Sequence, residues 1–148
     1  MGERTLRRAD VVTTPTTERL RALARYEAIF AGPDFTFGHW VEPTPDEEGV
    51  IQVGWYAYSE AAEAFIEEAY ALEWVVDFDW IKWAASPKGR RLLADPGLVA
   101  HASAADLARL LTVFIRGDRF SEGELAGAYQ SGMLRAIVRR AAELAESS

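Results

Sequence analysis

"SAADLARLLTVFIRGDRFSEGELAGAYQSGMLRAIVRRAAEL" runs from Ser103 to Leu144, and its reading decides the fold. Ser103 followed by Asp106 is a capping-box pattern that opens a helix. Leu107, Leu110, Leu111, Phe114 and Ile115 then recur at the spacing of one helix face. Gly117 is expected to end this helix, taking the left-handed conformation that other residues resist. Ser121 and Glu124 repeat the capping pattern, and Phe120 with Leu125 fits a hydrophobic staple across the new helix start. Gly123, Gly127 and Ser131 fall four residues apart, a small face that allows close helix approach, and Gly132 closes the segment. A last helix places Leu134, Ile137, Val138 and Ala141 inside and Arg135, Arg139 and Arg140 outside. Three successive helices follow from this one stretch.

Upstream the periods change. Thr16 or Thr17 is expected to cap a first helix, with Leu20, Leu23, Ala24 and Phe30 inward and Gly32-Pro33 as its stop. "FTFGHWV" (35–41) and "VIQVGWYAY" (50–58) read as strands. The hydrophilic "EPTPDEEG" between them makes an antiparallel hairpin over about 35–58. Ser59 caps a helix that turns Ala62, Phe65, Ile66, Ala69 and Tyr70 inward and Glu60, Glu63 and Glu67 outward. "WVVDF" (74–78) reads as a short third strand. Asp79 caps "WIKWAA", and Ser86-Pro87 starts another short helix that ends at "DPG" (95–97). The expected architecture is α+β: one mostly helical domain over 16–146, a small antiparallel sheet, and a loose tail over 1–15.

The chain has 148 residues, 49% of them hydrophobic, enough for one domain with a buried core. It has no cysteine, which excludes disulfides, thiolate metal sites and a cysteine nucleophile. The N-terminal "MGERTLRRADVVTTPTT" lacks the apolar core of a signal peptide, and no stretch is apolar enough to span a membrane. A cytoplasmic setting is expected. Arginine outnumbers lysine 14 to 2, which reads as GC-rich bacterial coding. The net charge of −7 is unevenly spread: residues 26–81 hold 13 acids and no lysine or arginine, and 13 of the 17 aromatics. Such asymmetry bears on partners more than on fold.

In "FDWIKW" (78–83) and in "LLTVFIRGDRFSEGELAGAYQSGMLRAI" (110–137), the chain resembles a family of small bacterial proteins classified only as a domain of unknown function. The likeness runs from about Thr17 to Leu144 and rests on D-W-x-x-W at 79–83 and R-x-D-R-F-x-E-G at 116–123. Where relatives place a cysteine and a histidine, this chain has Ser121 and Glu124, a departure that speaks against a metal or thiol site there. The resemblance implies a family and no activity.

No phosphate-binding loop, dinucleotide fingerprint or nucleophile elbow is present, and His39 and His101 are not at ligand spacing. Three functional readings remain. The leading one is a non-enzymatic binding or regulatory module, without cofactor or metal, whose acidic aromatic face engages a basic protein or a small cation. Its candidate residues are Trp55, Tyr58, Glu60, Glu63, Glu67, Asp77, Asp79, Trp80 and Trp83, with the polar corner Arg116, Asp118, Arg119 and Glu122. The bland alternatives are core tryptophans, solvated acids and a salt-bridged turn. The second reading is a helix-turn-helix nucleic-acid binder using Arg135, Arg139 and Arg140, against which the acidic middle would work. The third is a carboxylate-metal enzyme at Asp77 and Asp79, otherwise a strand-end acid and a helix cap.

Overall fold

A computed structural model describes residues 15–43, 45, 47–50 and 54–147. The expected tail lies outside them apart from Pro15, as do Asp46 of the loop and residues 51–53 of the second expected strand. The chain forms α1 (Thr16–Ala24), α2 (Tyr26–Ala31), β1 (Gly38–Val41), β2 (Trp55–Tyr58), α3 (Glu60–Ala71), α4 (Trp80–Ala85) and α5 (Pro87–Ala94). A 3₁₀ helix (Pro96–His101) then leads to α6 (Ala104–Phe120), α7 (Glu124–Gln130) and α8 (Met133–Glu146). This is the expected α+β architecture, with β1 and β2 antiparallel and Trp40 opposite Tyr56.

α6 is the central element. Leu107, Leu110, Leu111, Phe114 and Ile115 are all buried, as the apolar stripe requires. Its N-terminus carries the complete capping box: Ser103 Oγ accepts from Asp106 N–H, and the Asp106 carboxylate accepts from Ser103 N–H. α8 buries Leu134, Ile137, Val138 and Ala141 and lies mainly against α1 and the 3₁₀ helix. Most aromatics of the acidic middle go into the core. Phe30 meets the rings of Tyr26, Phe35, Phe37 and Phe65, and Phe37 stacks on Tyr129 of α7 at 4.8 Å. Trp74 is buried beneath the Arg19 guanidinium, which sits 4.5 Å from its ring.

Four expectations need correction. Residues 74–78 form no strand: Val76 N–H donates to Thr112 Oγ1 at 2.9 Å, so a buried helix side chain takes the bond a sheet neighbour would have made. Gly117 does not end α6, which continues to Phe120; a Cβ there would still find Trp80 and Glu124 at ordinary contact distance. The first helix is capped by Pro15 without a side-chain bond and is interrupted at Arg25, giving α1 and α2. Gly127 faces open space, so the Gly123–Gly127–Ser131 row is not a helix-packing face.

Candidate functional site

The polar corner of the sequence is where α6 turns into α7 against the hairpin. Asp118, in the last turn of α6, does the capping expected of Ser121. Its Oδ1 accepts from Gly123 N–H at 3.0 Å and Leu125 N–H at 3.2 Å, and its Oδ2 accepts from the Tyr58 hydroxyl. Ser121 is instead the C-cap of α6, in extended backbone. The staple is likewise absent: Leu125 is buried, but Phe120 is 81% exposed and contacts the Trp80 ring. A second carboxylate fastens the turn to the sheet, Glu122 Oε2 accepting from Tyr56 N–H at 3.1 Å.

Gly123 is required here twice over. Its φ is +102°, and an added Cβ would lie 2.8 Å from the Trp40 ring. Trp40 therefore stands directly against the turn, 52% exposed, with its ring nearly perpendicular to that of Tyr56. Trp40, Ser121, Glu122, Gly123 and Glu124 border an open cleft of about 510 Å³ whose floor includes Phe114 and Met133. Burial pushes the Tyr58 phenol above its usual range, and the Asp118 carboxylate adds to the shift. Tyr58 thus stays a proton donor to Asp118 through the physiological range.

Tyr58 is bonded to Asp118, and Glu122 joins the same corner through the Tyr56 amide, with Trp80 on its flank against Gly117 and Phe120. Arg119 is exposed in the last turn of α6. Arg116 is half-buried, and its Nε is enclosed with no hydrogen-bond partner among the described residues. The other candidates lie on other elements. Glu60, Glu63 and Glu67 are an exposed row on α3, Trp55 is exposed at the start of β2, and Asp77 is exposed. Asp79 caps α4 through Lys82 N–H at 3.1 Å, and Trp83 is half-buried with its ring edge-on to Phe78. Among the described residues, no three His, Asp or Glu side chains gather as a metal site. The C-terminal arginines are engaged: Arg139 pairs with Glu27, Arg140 donates to the Ala102 carbonyl, and Arg135 lies over the Tyr129 ring.

Trp40, Tyr56 and Glu124 were absent from the expected site. Trp40 had a signal: it falls on the phase of "FTFGHWV" shared with Thr36 and Gly38, where a large ring has no core to enter. Among the described residues, no helix is long and apolar enough to cross a membrane. No curated protein and no solved structure matches the chain. A family model does match, over residues 15–147, and the chain belongs to the family it describes, the family of unknown function DUF6508.

Proposed function

We propose that this protein is a non-enzymatic binding module whose α6–α7 corner receives a cationic side chain, lysine or arginine, from a basic protein partner. The observation that carries this reading is Trp40: a half-exposed indole fixed against Gly123 at the edge of a cleft rimmed by Glu122 and Glu124. An indole face attracts a cation through its quadrupole, and carboxylates beside it supply the counter-charge. The exposed Ile81 and Phe120 add apolar surface around Trp80, which favours a protein over a small free cation as the occupant. Glu60, Glu63 and Glu67 on α3 then contribute a long-range field that speeds encounter. A bacterial cytoplasm is the setting this reading assumes.

Titration with a tetra-arginine peptide, followed by tryptophan fluorescence at low salt, tests the proposal. Saturable binding is expected, weakened about tenfold by Trp40→Ala, on the order of 1 kcal/mol. Glu122→Gln with Glu124→Gln should weaken it further and flatten its salt dependence. Equal affinity in wild type and Trp40→Ala would refute the assignment of the corner.

A further inference from the structure

We infer that a second, chemically opposite site lies on the other side of α8: a groove for a small organic anion, a phosphate or carboxylate carried on an apolar body. The groove, of about 560 Å³, runs between α8, α2 and the 3₁₀ helix. That volume suits a single small molecule. Arg135, Arg139 and Arg140 stand along its α8 wall, while Ala31, Ala100 and Ala136 leave an apolar surface between them.

The arginines are unequally satisfied. Arg140 is held in place, donating to the Ala102 carbonyl at 2.8 Å and pairing with Glu143 at 3.3 Å. Arg139 pairs with Glu27 of α2 at 3.2 Å, but the arginine is largely exposed and the carboxylate partly so, so water competes with the pair and a bound anion can replace it. Arg135 has the Tyr129 ring and, among the described residues, no carboxylate. It also sits in the first turn of α8, where the helix macrodipole disfavours a cation, and that turn contains no acid to offset it. An anion between Arg135 and Arg139, one helical turn apart, would relieve both conflicts. Three guanidiniums against Glu27 and Glu143 leave the groove net positive in a chain of net charge −7. Gly132, with φ +89°, opens the mouth of the groove at the start of α8.

The test uses the full chain at low ionic strength, with backbone amide shifts read by NMR. Phenyl phosphate and benzoate are the probes, inorganic phosphate is the headgroup alone, and benzylamine is the same ring with the opposite charge. Saturable shifts centred on Gly97, Ala100 and Ala136 are expected with at least one of the two aromatic anions. The tighter of the two identifies the headgroup, at least fivefold tighter than inorganic phosphate, and benzylamine leaves these amides unmoved. Arg135→Gln with Arg139→Gln should weaken binding at least tenfold; both side chains are exposed, so the fold should persist by circular dichroism. Ala100→Phe, which keeps every arginine and fills the groove, should weaken it similarly. The inference is overturned by the absence of saturable shifts with either anion, by equal binding of benzylamine, or by wild-type affinity in either folded variant.

Discussion

The two ends of α6 carry the same local pattern and are closed by different means. At the N-terminus, Ser103 and Asp106 bond reciprocally, and Lys88 from α5 and Arg109 each lie 3.1 Å from the Asp106 carboxylate. At the C-terminal side, Ser121 and Glu124 have the same spacing, yet Asp118 takes the amides of Gly123 and Leu125. The difference lies in what surrounds each end. Ser103 follows a short 3₁₀ turn and is free to adopt the extended N-cap conformation. Ser121 must carry the chain out of α6 while Trp40, Tyr56 and Tyr58 of the hairpin crowd the turn from one side. A carboxylate in the last turn of the preceding helix reaches the amides of the new helix start instead. Both ends are capped by nearby residues, but the second is also tied to the hairpin through Tyr58 and Glu122.

That contrast can be broken by mutation. The largest effect is expected from Asp118→Ala, which strands two backbone amides and the half-buried Tyr58 hydroxyl. Chemical denaturation should show a loss of about 3 kcal/mol. Asp106→Asn should cost less, about 2 kcal/mol, because Ser103 remains to cap the helix. Its pH dependence is the sharper mark. Burial alone would raise the Asp106 pKa, but the Ser103 amide and Lys88 outweigh it and hold the group below its usual value. The stability this contributes is present above the unfolded-state value of about 3.9 and is lost as pH falls through the lower folded one. Asp106→Asn should therefore flatten the acid limb of the stability curve below about pH 4.

Smaller effects separate the two serines. Ser103→Ala should cost about 1 kcal/mol, the ordinary loss of an N-cap. Ser121→Ala should fall within about 0.5 kcal/mol of wild type, since Asp118 holds the position. Phe120→Ala should be similarly mild, because the ring is 81% exposed and lies tilted against the Trp80 ring. A loss of several kcal/mol at Phe120 would restore the staple and with it a symmetric account of the two ends.

The same distinction explains what could be read from the chain. The caps at Ser59, Asp79, Ser86 and Ser103 were legible because each donor lies three residues from its acceptor. The hairpin was legible from its alternation. Residues 74–78 were not, because their fate depends on Thr112, a side chain 36 residues away from Val76. Gly117 reads as a terminator by composition, but α6 continues because its surroundings reach past it to Phe120. Of the site, Tyr58, Asp118 and Glu122 could be named from charge and motif; the bonds from Tyr58 to Asp118 and from the Tyr56 amide to Glu122 could not, since they span 60 and 66 residues. Trp40 escaped because nothing local marks a tryptophan as the ring that will lie against a turn 83 residues further on.

The corner's proposed role rests on attraction between the Trp40 ring and a guanidinium, and a double-mutant cycle measures that attraction alone. Tetra-arginine and its neutral citrulline analogue would be titrated against wild type and Trp40→Ala. The account predicts a coupling energy of about 1 kcal/mol, because the indole should matter only when the partner is charged. Additive effects, with coupling below about 0.3 kcal/mol, would contradict it and leave Trp40 as an apolar ring that rests on Gly123 and binds no cation.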